Sequence, residues 1–438
     1  MENITTLIDR FYKTHPVEKW KNYGFFNDKY IHVINYHWLQ FDPPLRSSYL
    51  SLALLYIIIM IVGWTGNVCV IYLYYRNRVL RTSGNMLVAN LAISDLMLLS
   101  KMPIFIYNSF LEGPALGDIA CRIYGLVGGL TGNVSICTLS AIALDRFYVI
   151  KYPLNRAFSS LRVKICLGIV WGYGLFFAII PSLNIGLGQY TPEGYLTSCS
   201  FDYLSPEKEV KIFILVYFCA AWILPFAIIT FSYAHILNIV LARSMSTKQQ
   251  RESFRHIREE NQRKQEIKLS LTVLSVIFLW FAAWTPYSVV ALLGVSGHKE
   301  LITPICSMIP ALFCKTASAI DPYVYALSHP KFKEELFAMF KRSKTKTSSK
   351  ITTISKRPKK IAVEVNDEIS EVENIELISI PGFTSQKEPP VSSNIDTGEN
   401  LRKCHKNFSI TEMICFRPTF SNKSTSIRRI ARRWSLKQ

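Results

Sequence analysis

Apolar residues in this chain fall in long blocks separated by short charged connections, not at the helix or strand periods of a soluble domain. A hydrocarbon layer about 30 Å thick needs about 20 apolar residues of helix per crossing. Seven blocks reach that length: Tyr49–Tyr75, Asn85–Phe110, Ile119–Val149, Val163–Leu187, Val210–Leu241, Ile267–Val295 and Leu301–Leu327. Pro103, Pro181, Pro225, Pro286 and Pro322 lie inside several of them. Such prolines kink soluble helices but are tolerated in membrane bundles, where neighbours satisfy the freed carbonyls. The pattern predicts an all-α membrane protein with a seven-helix transmembrane bundle over residues 49–328. After it, HPKFKEELFAMF places Phe332, Leu336, Phe337 and Phe340 on one face of a helix, so residues 329–341 are expected to lie along the membrane surface.

Charge sets the orientation. The connection after the first block carries Arg76, Arg78 and Arg81, the one after the third Lys151 and Arg156, and the one after the fifth Arg243, Lys248, Arg251, Arg255, Arg258, Arg263 and Lys264. The alternate connections 111–118 and 294–300 have almost no basic residues. Residues 1–48 are therefore expected outside the cell and the C-terminus inside. The net charge of +19 would otherwise point to nucleic acid, but its concentration on the cytoplasmic side is explained by topology, and no nucleic-acid partner is expected.

The N-terminal stretch lacks a cleavable signal pattern, so the first block is expected to direct insertion. Asn3-Ile4-Thr5 matches the N-glycosylation acceptor pattern on the outer side. The same pattern at Asn133 lies within a helix, and those at Asn407 and Asn422 are cytoplasmic, so these should stay unmodified. Residues 342–438 are rich in Lys, Ser, Thr and Glu and read as a disordered cytoplasmic tail.

Of ten cysteines, Cys121 and Cys199 fall where an oxidising exterior could bridge them, with Cys306 the nearest competitor. Four ionisable residues sit at membrane depth, where such groups mark function: Asp95, Lys101, Lys315 and Asp321. The second and seventh blocks run in opposite directions. Each lysine lies six residues outward of its aspartate, about 9 Å along a helix, so the two amines are expected at similar depth. A lysine in an apolar pocket loses its charge readily, and a neutral amine can form a Schiff base with an aldehyde. A structural lysine paired with a carboxylate is the competing reading, and position alone does not separate them.

These residues resemble the rhodopsin-like class of G-protein-coupled receptors. The class pattern matches at Gly66-Asn67, Leu91-Ala92-Ile93-Ser94-Asp95, Cys121, Asp145-Arg146-Phe147, Trp171, Pro225, Trp284-Thr285-Pro286-Tyr287 and Asp321-Pro322-Tyr323-Val324-Tyr325, each on the expected helix. Within the class the chain resembles the opsins, because Lys315 stands seven residues before Pro322, where opsins attach retinal. KMPIFIYNSF (Lys101–Phe110) is similar to arthropod ultraviolet opsins, His329-Pro330-Lys331 to invertebrate visual opsins, and the arthropod rhodopsin seven group is the nearest named set.

The resemblance implies 11-cis-retinal, or a derivative such as 3-hydroxyretinal, joined to Lys315 with Glu193 as counterion. Its walls would be Tyr124, Gly128, Gly132, Tyr217, Phe218, Trp222, Trp284 and Tyr287, with Lys101 tuning the spectrum toward the ultraviolet. Tyr124 stands where vertebrate visual pigments have a glutamate. Asp95, Asp145, Arg146, Asp321, Pro322, Tyr325, His329, Pro330 and Lys331 would form the switch and the coupling surface. The implied partners are a Gq-class G protein, arrestin and a receptor kinase acting on Ser343–Lys356, at the plasma membrane. Phe147 replaces the usual tyrosine after Arg146, Asp321 replaces the commoner asparagine, and no cysteine closely follows the amphipathic segment to carry a palmitoyl anchor. A receptor for a diffusible ligand and a retinal photoisomerase are the competing functions.

Overall fold

The computed structural model describes residues 3–152, 159–183, 185–246, 254–328 and 332–338, with side chains described outside 243–263 and 326–328. The chain begins with α1 (Ile4–Thr14), α2 (Val17–Tyr23), a 3-10 turn at Asp28–Val33 and α3 (Tyr36–Leu39), elements for which the sequence reading offered no assignment. The bundle follows as α4 (Arg46–Arg76), α5 (Ser83–Ser100), α6 (Met102–Phe110), α7 (Gly117–Lys151), α8 (Ser160–Ile179), α9 (Lys208–Phe218), α10 (Leu224–Ser246), α11 (Phe254–Val295) and α12 (Pro304–Ser328). Between α8 and α9 lie two short antiparallel strands, β1 (Tyr190–Glu193) and β2 (Ser198–Phe201).

The helices are made by long apolar runs whose outward residues, such as Ile58, Ile61, Phe226 and Phe278, stay exposed on the bundle surface, as lipid-facing positions should. Among the described residues six spans are long and apolar enough to cross a membrane, including Ser83–Phe110 (α5 with α6) and Lys208–Ala242 (α9 with the start of α10). The seventh, α12, is more polar because it carries Lys315 and Asp321, and it packs against α4 and α11. The central helix α7 packs against α5, α8, α10 and α11.

The second and fifth spans depart from plain helix where they line a cavity in the bundle. The second breaks at Lys101, which closes α5 and precedes α6; Pro103 near the start of α6 has no N–H to continue the ladder. The fifth contains a π-helical turn at Cys219–Ile223, which directly follows Tyr217 and Phe218 at the end of α9 and leads into α10, whose second residue is Pro225. The sixth helix begins at Phe254, thirteen residues before the predicted apolar block that starts at Ile267, because charged residues extend it beyond the hydrocarbon. A helical segment at 332–338 buries Phe332, partly buries Leu336 and exposes Phe337; Phe340 and the rest of the predicted 329–341 helix lie outside the described residues, as do residues 342–438.

Buried polar groups tie the spans together. Asn67 of α4 donates to the Gly63 and Ser318 carbonyls at 3.0 and 3.1 Å, Asn90 of α5 donates to Thr138 of α7 at 2.9 Å, and Trp171 of α8 donates to Asn90 at 2.9 Å. Each bond satisfies a group that hydrocarbon could not.

The N-terminal segment is a packed cap. Phe11, Trp20, Phe26, Tyr30, Ile34, Trp38 and Leu39 are buried in a cluster continuous with the upper bundle. The Trp20 indole N–H donates to the Leu111 carbonyl at 2.7 Å, and its ring fills the space that a side chain at Gly113 would occupy. The Phe25 N–H donates to the Ala115 carbonyl at 2.7 Å, Asn35 donates to Asp202 at 2.8 Å, and His37 Nε2 donates to the Ile302 carbonyl at 2.7 Å. Three separate loops therefore hold the cap. Gly117 adopts φ +70° beneath the Phe25 carbonyl, a conformation and an approach that a Cβ would obstruct.

His15 stacks on Phe11 at 4.0 Å between ring centroids, and burial lowers its pKa from 6.5 to about 4. The folded cap thus prefers the neutral ring. Its stability should be complete above about pH 6.5 and fall, by about 3 kcal/mol in all, as pH drops to about 4. Hydrogen exchange in α1 and α2, corrected for intrinsic rates, should rise over that window in the wild type and stay flat in His15→Phe.

Candidate functional site

Beneath the hairpin the bundle encloses a cavity in which the centre of a water-sized sphere can move through about 140 Å³. Its wall combines residues from five spans and the loop between α8 and α9. Lys101 comes from the α5–α6 break, Tyr124, Gly128 and Gly132 from α7, and Glu193 from β1. Tyr217 and Phe218 close α9, Trp222 sits in the π-turn, Trp284 and Tyr287 come from α11, and Lys315 comes from α12. All eleven retinal-site positions named from sequence thus line one cavity. Mostly aromatic and glycine surface surrounds two amines and one carboxylate, each less than a tenth exposed.

Local structure explains how each group arrives. Cys121 of α7 is disulfide-bonded to Cys199 of β2, and Cys306, the competitor, is free and exposed. In the hairpin Pro192 pairs with Cys199 and Glu193 with Ser198, so the bond that pins β2 also fixes Glu193. Gly194 and Leu196 take φ +58° and +61° in the turn, and a Cβ at Gly194 would meet Met308. Glu193 Oε2 accepts from Ser200 Oγ at 2.8 Å, the Tyr203 and Tyr287 hydroxyls at 3.2 Å each, and Ser307 Oγ at 3.4 Å. Hydroxyls from β2, the following loop, α11 and α12 converge on one carboxylate oxygen.

The two amines have different surroundings. Lys101 Nζ donates to the Tyr124 carbonyl at 3.2 Å and lies 4.1 Å from the centre of the Tyr124 ring. Lys315 Nζ lies 5.9 Å from the centre of the Tyr56 ring, which is stacked on Phe105 at 3.7 Å. Gly132 leaves room for Trp284, whose indole stacks on Trp280 at 5.4 Å. Phe218 and Trp222 stack on each other at 5.6 Å.

Below the cavity Asp95 and Asp321 line a second, much smaller space of about 10 Å³ with Asn67, Pro322 and Tyr325. Asp95 accepts from Ser135 at 3.2 Å, while Asp321 Oδ1 and the Tyr325 hydroxyl have no hydrogen-bond partner among the described residues. At the far end Arg146 pairs with Asp145 and, at 3.1 Å, with Glu266 of α11. A side chain at Gly84 would strike that guanidinium. His329, Pro330 and Lys331 lie outside the described residues. Asn3 is exposed and caps α1, whereas Asn133 is buried and bonded to the Tyr217 hydroxyl at 3.2 Å.

Sequence reasoning missed Ser200, Tyr203 and Ser307 around Glu193, Tyr56 beside Lys315, and Glu266 beside Arg146. Ser200 could have been found from the hairpin itself, whose alternation puts it on the same face of β2 as Ser198, the partner of Glu193. Ser307 and Tyr56 carry no local signal, since each acts across more than a hundred residues of sequence.

The chain matches the pattern of the 7 transmembrane receptor (rhodopsin family) over residues 66–325. It is 38% identical to the ultraviolet-sensitive opsin of Apis mellifera over 314 residues, covering 70% of this chain and 84% of that one. It is 40% identical to Opsin-2 of Manduca sexta over 305 residues, covering 68% and 81%. Squid rhodopsin superimposes with a TM-score of 0.67 at 33% identity, over 71% of this chain and 90% of that structure. The chain belongs to the opsins, within the rhodopsin family of seven-transmembrane receptors. These are multi-pass membrane photoreceptors and not enzymes.

Replacing Glu193 would strand the hydroxyls gathered on it. Glu193→Leu should lower the thermal midpoint of the purified apoprotein by several degrees, since each lost hydrogen bond to a buried carboxylate is worth about 1.5–3 kcal/mol. Glu193→Gln, which keeps an acceptor oxygen, should lower it less in the same melt.

Proposed function

We propose that the chain is a light receptor whose chromophore, 11-cis-retinal or a close derivative such as 3-hydroxyretinal, is attached at Lys315. The observation that carries this reading is the shared cavity of Lys315 and Glu193, an amine and a carboxylate enclosed among aromatic walls. When bound, retinal supplies a conjugated polyene that absorbs light and an aldehyde that condenses with a primary amine. The residues fit it: Gly132 makes room against Trp284, and Tyr217, Phe218 and Trp222 offer apolar length. The hairpin and N-terminal cap lie over the same end of the bundle, an arrangement suited to an oily ligand held for a long time.

Glu193 would act as the anion that offsets a proton on the nitrogen of Lys315. Its four hydroxyl donors already stabilise negative charge there. Lys101 works in the opposite sense, because a second cation in the cavity disfavours that proton. The expected absorption therefore has an ultraviolet or short-wavelength component, and the Apis mellifera relative is named as ultraviolet-sensitive. Trp284 abuts α7 at Gly132, so a change of ligand shape would press on α11. Movement of α11 would separate Glu266 from Arg146 and expose the face where a G protein docks, a two-state shift biased by the ligand. Coupling to the Gq class, shut-off by a receptor kinase and arrestin, glycosylation at Asn3, and a plasma-membrane location with the N-terminus outside complete the reading.

Two measurements test it. The expressed protein incubated with 11-cis-retinal should gain an absorption band that changes on illumination; no retinal-dependent band would overturn the proposal. Lys101→Glu should move the maximum to longer wavelength, and an unmoved maximum would remove Lys101 from the tuning of the pigment.

A further inference from the structure

The cavity holds two primary amines, and the proposed function uses only one of them as an attachment point. We propose that Lys101 is a second covalent anchor for an aldehyde ligand, able to take the role of Lys315. The inference rests on the retinal reading above and extends it.

Three observations support it. Lys101 and Lys315 come from different spans yet line the same space, and both are 7% exposed. The amine of Lys101 donates its hydrogen bond to the neutral Tyr124 carbonyl and rests on the Tyr124 ring, so this contact does not commit it to a carboxylate. Gly128 provides its seat: a side chain there would collide with Nζ and with little else, and Gly128 itself lines the cavity. A cation serving only as a fixed charge has no need of open space beside it. An amine that must receive a carbonyl carbon does.

The chemistry is a condensation. The neutral Nζ of Lys101 attacks the aldehyde carbon, the new C–N bond forms, and a proton passes from nitrogen to the former carbonyl oxygen. Water then leaves and the C=N bond remains, so amine and aldehyde give C=N and one water, with no oxidant or reductant. Lys315 stays as the free amine in the same cavity. The two lysines exchange roles, and Glu193 serves as the single carboxylate for either.

The test uses the full chain in three forms: wild type, Lys315→Ala, and Lys101→Ala combined with Lys315→Ala. Each is incubated with 11-cis-retinal in the dark, treated with borohydride to fix C=N bonds as stable secondary amines, and mapped by peptide mass spectrometry. In Lys315→Ala the label should fall on Lys101 and not on an exposed lysine such as Lys29, and it should be lost in the double variant. A wild-type label at Lys315 with no Lys101 label in Lys315→Ala overturns this inference alone. A wild type with no cavity label at all overturns the retinal reading beneath it. If Lys315→Ala does not fold, the wild type decides: reduction during binding should capture label on Lys101 as well as Lys315, and label confined to Lys315 counts against the proposal.

Discussion

The enclosed carboxylate of Glu193 is the interaction around which the upper half of the molecule is arranged. A carboxylate removed from water is tolerated only where donors replace the solvent, and this one draws hydroxyls from β2, the loop after it, α11 and α12 onto a single oxygen. Ser200 lies in the hairpin itself and Tyr203 in the loop directly after it, while Tyr287 and Ser307 come from the bundle. The hairpin in turn is held down by the Cys121–Cys199 bond to α7 and by the turn residues Gly194 and Leu196. One covalent link and one buried charge thus fix the roof of the cavity that the two amines line.

Much of this was legible in the sequence because hydrocarbon imposes a coarse and strict rule: a span must be apolar for its full length, and exceptions are conspicuous. Lys101, Lys315, Asp95 and Asp321 stood out for that reason, and the structure brings the lysines to one cavity and the aspartates to another. The break at Lys101 was less visible, since Pro103 is compatible with a kink as well as an interruption. The π-turn at Cys219–Ile223 left no trace in composition, yet it is where Trp222 joins the cavity wall. Helical register inside a uniformly apolar block cannot be recovered from hydrophobicity alone.

The N-terminal cap was hidden for a different reason. Its elements are short, with α2 seven residues long and α3 four, and they gain stability from packing on the bundle more than from propensity. Signals for them do exist in retrospect. Asn3, Asn27 and Asn35 each accept a backbone N–H at the start of a helical element, and Leu7, Ile8 and Phe11 form the inward stripe of α1. Local caps of this kind identify where helices begin but not what they rest on.

The cap also makes the two ends of the bundle mechanically unequal. At its own end, loops between different spans are stitched together by a disulfide, a buried aromatic cluster and hydrogen bonds from cap side chains to loop carbonyls. At the other end α7 is joined to α11 by Arg146 and Glu266, a pair whose acid is 40% exposed and so weakly held. A bundle stiff at one end and latched at the other behaves as a set of levers with a common fulcrum. Under the proposed function, a small strain in the cavity, close to the stiff end, would be amplified along the length of α11 and emerge as displacement where the latch is weakest.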